Sequence, residues 1–184
     1  MILHDYTPTW KEEFERLKAI YLESLGDTII AIEHIGSTSI PGIKAKPILD
    51  VDIVIENYEI FPTVVDRLAR LGYTHNGDQG ILHREAFKRK DEFTPESSPR
   101  RKWMNHHLYV CPEFSEELKR QLIFRDTLRI DERAKRAYEA IKIEIAARAD
   151  GDRKRYAAIK EAECREFVEK TLAAAGYIRQ VAPS

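Results

Sequence analysis

The chain has 184 residues, 43% of them hydrophobic and 33% charged, with 30 basic against 31 acidic side chains and a net charge of −1. That length suits one compact domain with an ordinary core, and the balanced charge argues against a protein that grips long nucleic acid nonspecifically, which carries a basic excess. Two cysteines, Cys111 and Cys164, stand far apart without a CxxC pair, so neither a disulfide framework nor a zinc knuckle is expected.

The N-terminal MILHDYTPTWKEEF lacks the basic segment and apolar run of a signal peptide, and no stretch approaches the roughly 20 apolar residues that span a bilayer. The expected location is therefore cytoplasmic. Thr7 or Thr9 with Pro8 opens a helix in which Trp10, Phe14, Leu17 and Tyr21 recur at helical spacing, and Gly26-Asp27 ends it. Thr28 to Ile35 reads as a strand, and an apolar run from Pro47 to Ile55 as a second, buried one. Phe61 to Leu71 is an amphipathic helix closed by Gly72, Gly80 to Lys88 a strand, Arg89 to Arg100 a polar loop, and Trp103 to Cys111 a last strand. Phe114 to Ile130, Asp131 to Arg148 and Gly151 to Ala175 then carry helical apolar stripes on charge-rich surfaces. The fold class expected is α/β (α+β), a mixed sheet in residues 1–112 with a helical cap in 113–184 packed on it as one unit.

The segment HIGSTSIPGIKAKPILDVDIVI, His34 to Ile55, holds the chemistry. Twelve residues separate Gly36-Ser37 from Asp50, and Asp52 follows one position later. Residues two apart on a strand share a face, so the two carboxylates project side by side. Adjacent anions repel unless a cation lies between them, and hard oxygen ligands suit Mg²⁺ or Mn²⁺. A Gly-Ser loop offers backbone N–H groups and a hydroxyl to phosphate. The segment is not a Walker A motif, since no Gly-Lys-Ser/Thr occurs in it.

This wording resembles the nucleotidyltransferase (polymerase-beta-like) superfamily, and within it the GrpB family. The resemblance continues through His107-Leu108-Tyr109-Val110, Phe124-Arg125-Asp126 with Arg129, Tyr138 with Lys142, and Tyr156 with Lys160, covering about Trp10 to Leu172. It implies that Asp50 and Asp52 hold one or two Mg²⁺ (or Mn²⁺) ions, and that Gly36, Ser37 and Thr38 hold the phosphates of a nucleoside triphosphate. GrpB-like modules also occur joined to dephospho-coenzyme A kinase, an association with nucleotide or coenzyme metabolism.

The superfamily completes its metal site with a third acid on a later strand. Here Trp103 to Cys111 contains none, and His107 stands where that acid is expected. A neutral imidazole is either a metal ligand, better suited to softer ions, or a general base for an acceptor hydroxyl; a hydrogen-bonded structural histidine is the alternative. Glu85 is the fallback third ligand. His34 orients the loop or touches phosphate. Lys44 and Lys46 follow the loop as point charges for a triphosphate, or as solvated turn residues. Arg84, with Lys88 and Arg89 nearby, is a candidate phosphate contact, and Pro99-Arg100-Arg101-Lys102 beside Trp103 a basic run for stacking and phosphate. Tyr138 with Lys142, and Tyr156 with Lys160, are each four apart and share a helix face, either reaching the triphosphate or packing the cap.

Two functions follow as expectations. One is metal-dependent transfer of NMP from an NTP to a small-molecule or protein acceptor. The other is a nucleotide-binding or regulatory module of the same fold without catalysis. RNA handling is a third reading, with local basic patches as its support. The base preference, the acceptor and the oligomeric state are not written in the sequence.

Overall fold

In the computed structural model, which describes residues 2–178, the elements alternate and then become helical. They are α1 (Thr9–Leu25), β1 (Ala31–Ile35), β2 (Leu49–Ile55), α2 (Phe61–Arg70), β3 (Tyr73–His75), β4 (Glu85–Arg89), β5 (His106–Pro112), α3 (Glu116–Ile130), α4 (Glu132–Arg148) and α5 (Arg153–Ala174). The five strands form one mixed sheet in the order β1-β2-β5-β4-β3. Only β2 and β5 run parallel; the β1–β2, β5–β4 and β4–β3 pairs are antiparallel. The α/β (α+β) class, with a mixed sheet and C-terminal helices, is the observed one.

Alternation along β2 decides what each face of the sheet does. Leu49, Val51, Ile53 and Ile55 have no exposed surface and pack with Trp10, Phe14, Leu17 and Tyr21 of α1 and Val64 and Leu68 of α2. Each such side chain contributes about 1.5–3 kcal/mol of burial, which locks the register of the strand. The intervening residues, Asp50, Asp52 and Val54, therefore face the other side. There Val54 meets Cys111 and Leu118 at one end, and α3 crosses β1. A second core joins Leu128, Tyr138, Ile145 and Tyr156 of the C-terminal helices to Ile40 and Ile43, which follow the Gly-Ser loop. The helices thus hold the loop as well as roofing the carboxylates.

Three helix starts have side-chain caps. Ser115 accepts a hydrogen bond from the Leu118 N–H, Asp131 from Arg133 and Ala134, and Asp152 from Lys154 and Arg155. Several boundaries differ from expectation for local reasons. Gly26–Thr28 forms a 3-10 turn, so β1 begins at Ala31 rather than Thr28. Gln79 (φ 53°), Gly80 (φ 79°) and His83 (φ 60°) are left-handed, and the Asp78 carboxylate accepts from the Gly80 N–H at 2.8 Å. That turn delays β4 to Glu85. Trp103 is loop, its indole N–H donating to the Pro95 carbonyl at 2.8 Å, and β5 begins at His106. The short strand β3 has no counterpart in the sequence reading. Among the described residues, no helix is long and apolar enough to cross a membrane.

Candidate active site

Register gathers the acidic centre. Asp50 lies opposite Ile35 on β1 and His107 on β5, while Asp52 lies opposite Glu33 and Tyr109. Asp52 is completely buried, and neither of its oxygens has a hydrogen-bond partner. Burial, and then the adjacent Asp50, push its carboxyl up to about 8. Asp50 is half-buried, and its Oδ1 accepts from His107 Nδ1–H at 2.8 Å. The carboxylate can only accept, so the proton sits on Nδ1 and a neutral His107 keeps Nε2 as its acceptor. This bond to Asp50 raises the imidazole pKa above its ordinary value.

The Gly-Ser loop closes over the carboxylates. Gly36 has φ 69°, and a Cβ there would lie 3.0 Å from Asp50 Cγ and closer still to a carboxylate oxygen. Only glycine combines that backbone with that approach. The buried Thr38 hydroxyl donates to the Ile48 carbonyl at 3.2 Å and so accepts from His34 Nε2–H at 3.0 Å. His34 stacks on Phe14 at 4.6 Å, and burial lowers its pKa to about 4, keeping it neutral. Ser39 Oγ donates to the Gly36 carbonyl at 2.6 Å. From α3, Arg125 holds Glu33 and the His34 carbonyl, and Arg129 places Nε and an NH₂ group on the Ser39 carbonyl at 3.1 and 2.9 Å. Among the described residues the Ser37 hydroxyl has no hydrogen-bond partner, and Ser37 lines the cleft.

Two connected cavities open beside this centre. The outer cleft, about 810 Å³, is bordered by His107, Lys46, Tyr156 and the α5 face; an inner chamber of about 310 Å³ lies between Gly36, Tyr109 and α3. Ser37, Asp50, Arg84 and Lys160 line both. Arg84 stacks on the Tyr109 ring at 4.4 Å, with a buried Nε–H that has no partner. Lys160 has no hydrogen bond or ion pair among the described residues; the Tyr138 hydroxyl, then Tyr156 and Asp50, hold its pKa above the ordinary range. Lys46 sits over the Tyr156 ring at 4.3 Å and donates to the Arg153 carbonyl at 3.2 Å.

Two expectations, Glu85 and Lys44, are corrected by this geometry, and the roles of Lys142 and Thr38 are narrowed. Glu85 pairs with Val110, on the face opposite the aspartates, and binds the Tyr58 hydroxyl at 3.1 Å and His75 at 2.7 Å, so it is no metal ligand for Asp50 and Asp52. Lys44 is in an ion pair with Asp5 and lines neither cavity. Lys142 borders the outer cleft but is only 1% exposed, and its ammonium donates to the Lys44 carbonyl, which supports the loop. Burial, then Lys160, lower its pKa to about 7. The Thr38 hydroxyl is consumed inside the loop. His107 as a co-ligand is also constrained, because Nδ1 is spent on Asp50 and Nε2 points the other way around the ring.

The remaining donors fit a divalent cation. A carboxylate buried without partners, beside a second one with a free oxygen, is what a bound cation compensates. Among the described residues no cluster of three or more His, Cys, Asp or Glu side chains completes such a site, so further ligands must come from substrate or water. The sequence reading also gave no role to Glu117 and Gln121, which face the cavities from α3, nor the clamp role to Arg125 and Arg129. The only signal for the clamp was an arginine pair interrupting an apolar helix stripe.

Comparison with known proteins agrees with this architecture. Residues 1–178 match the family described as GrpB protein. UPF0157 protein YqkA of Bacillus subtilis is 34% identical over 146 residues, 77% of this chain and 38% of that protein. A protein of Mycolicibacterium paratuberculosis named dephospho-CoA kinase is 26% identical across 84% of this chain, which spans 42% of it. The crystal structure of conserved protein GrpB from Enterococcus faecalis superposes with a TM-score of 0.76 at 26% identity, covering 96% of this chain and 100% of that one. With the match running from the first residue through α5 and the fold shared throughout, the chain belongs to the GrpB family.

Proposed function

We propose that this protein transfers a nucleotidyl group from a nucleoside triphosphate to a small-molecule or protein acceptor, using a divalent cation held by Asp50 and Asp52. The observation that carries the reading is Asp52: fully buried, both oxygens without partners, and next to a second carboxylate under a glycine loop. A buried acid so placed costs stability unless a cation joins it.

Bound there, Mg²⁺ or Mn²⁺ supplies charge neutralisation to the phosphates and to the two carboxylates. The chain's own groups do the rest. Ser37 and the loop N–H groups receive phosphate oxygens, and Arg84 and Lys160, which line both cavities, balance their charge. Lys46 adds a charge at the rim. His107 Nε2 faces the outer cleft and takes the proton of an acceptor hydroxyl, while Nδ1–H stays on Asp50. The acceptor oxygen bonds to the α-phosphorus, the bond to pyrophosphate breaks, and pyrophosphate leaves.

A second reading rests on β5, which carries no carboxylate facing Asp50. It is a nucleotide-binding or regulatory module of the same fold that does not turn its ligand over. The likeness to a protein named dephospho-CoA kinase supports a nucleotide-related setting for either reading.

Calorimetric titration of the four NTPs, with Mg²⁺, with Mn²⁺ and without metal, tests the site on wild type and on Asp50→Asn/Asp52→Asn. Metal-dependent binding lost in the double variant is expected; unchanged affinity in that variant removes the metal site from consideration. Pyrophosphate release on adding acceptor candidates then separates transferase from binding module.

A further inference from the structure

On the proposed reading the groups that line both cavities, Ser37, Arg84 and Lys160, receive a nucleotide's phosphates, and the two cavities differ in character. The outer cleft is rimmed by charged side chains. The inner chamber has flat, apolar walls, from Tyr109, Phe124 and Tyr138 with Ile35 and Val168, and at about 310 Å³ it accommodates a heteroaromatic base but little more. Its α3 side carries Glu117 and Gln121 beside Arg120 and Arg125, which are paired with Glu169 and Glu33. Gln121 donates Nε2–H to Glu117 Oε1 at 2.8 Å, which fixes the amide orientation because the carboxylate is an acceptor only. Gln121 Oε1 is then left buried with no partner. Glu117 lines both cavities; its other oxygen is 3.8 Å from Arg120 Nε, too far for a hydrogen bond, and Arg120 is committed to Glu169 at 2.6 Å. Two acceptors therefore stand side by side, four residues apart on one helix face; the Gln121 oxygen is buried without a donor, and the second Glu117 oxygen is open to one.

We propose that the inner chamber is the base subsite and that Glu117 and Gln121 select guanine. Among the four bases only guanine presents two adjacent donors, N1–H and the 2-amino group, on one edge. Adenine and cytosine set an acceptor nitrogen beside their amino group, which would face one of the two acceptors. Uracil sets its single N–H between two carbonyls. A mismatch buries an unpaired acceptor, and a paired two-bond contact discriminates by about tenfold or more. The inference rests on the nucleotide reading above and assigns its substrate class: guanine nucleotides.

The test is competition calorimetry in Mg²⁺ with GTP, ITP, ATP, CTP and UTP, on wild type, Glu117→Gln and Gln121→Leu. GTP is expected to bind about tenfold tighter than the others. ITP, which lacks only the 2-amino group, should fall to the level of the others. Glu117→Gln should flatten the preference by weakening GTP alone, and Gln121→Leu should do the same from the neighbouring position. Both side chains sit on a partly exposed helix face, and circular dichroism verifies the fold of each variant. Equal affinity for all five nucleotides, preference for another base, or a GTP preference that survives both substitutions overturns the guanine subsite while leaving the nucleotide site standing. Absence of binding by every nucleotide overturns the underlying reading, and the subsite with it.

Discussion

Asp52→Asn gives the most direct test of the acidic centre, because the physics of the site makes removal of this buried carboxylate stabilising. In the unfolded chain Asp52 titrates near 3.8, whereas burial first and Asp50 second move it to about 8 in the fold. The folded state therefore holds the proton more tightly than the unfolded one. Between pH 3.8 and about 8 the native protein binds more protons at this group, so its stability falls as pH rises and levels off above about 8. At ~1.4 kcal/mol per pH unit, the interval from pH 5 to pH 8 alone withdraws about 4 kcal/mol. Asparagine does not ionise, so its curve lacks this slope. The amide leaves unpaired polar atoms in the same place, at about 1–3 kcal/mol independent of pH. The variant should accordingly be near wild type at pH 5 and about 2–4 kcal/mol more stable at pH 8. Urea denaturation in EDTA at pH 5, 6.5 and 8 measures this. Parallel pH curves for the two proteins would falsify the claim that Asp52 is an uncompensated buried acid. Adding Mg²⁺ at pH 8 should raise the stability of wild type and not that of the variant.

Other consequences follow from single contacts. Gly36→Ala should cost about 1–3 kcal/mol from the left-handed backbone, and should lower metal-dependent nucleotide affinity, since the new Cβ displaces the Asp50 carboxylate; normal affinity at reduced stability would detach the loop from the site. Arg129→Gln removes the paired N–H groups on the Ser39 carbonyl and should weaken nucleotide binding although Arg129 contacts the loop from behind, at about 1.5–3 kcal/mol of stability by denaturation. Glu85→Gln is the control: it faces the other side of the sheet, so metal-dependent binding measured by calorimetry should not change, and a loss would refute the assigned register. His107→Asp should raise Mg²⁺ affinity in the same titration, and a fall would mean that the His107–Asp50 bond itself makes the site competent.

Alternation made the central site legible before any coordinates. Period two along β2 put Asp50 and Asp52 on one face, and counting along β5 put His107 and Tyr109 together, which is how register arranges them. Alternation gave Glu85 no direction, because the phase of a short strand depends on where it starts. The left-handed residues at Gln79, Gly80 and His83 moved that start in a way that no hydrophobic pattern reports. The lysines of the cap show a different limit. Spacing assigns Lys142 and Lys160 to helix faces, but whether an ammonium meets a cavity or a backbone carbonyl depends on what packs against that face. Lys160 borders both cavities, while Lys142 borders the outer cleft alone and has its ammonium on the Lys44 carbonyl. Glu117 and Gln121 needed the placement of α3 over the sheet, a long-range relation with no local signature.

The exchange of an acid for His107 changes more than a ligand count. A third carboxylate opposite Asp50 would add another anion at a centre where Asp52 already has its proton held by burial, and the site would depend strongly on a cation for its stability. Histidine reverses the sign of that neighbour. Its Nδ1–H satisfies one oxygen of Asp50, and because that bond raises the imidazole pKa, lowering the pH strengthens the Asp50–His107 pair at the same time as it protonates Asp52. Both changes act against metal binding. Raising the pH frees the Asp52 carboxylate and returns His107 to its neutral form, with Nε2 available to accept a proton. The two titrations therefore run in one direction, so that on the proposed function cation binding and proton acceptance should both gain on the alkaline side of the Asp52 and His107 titrations.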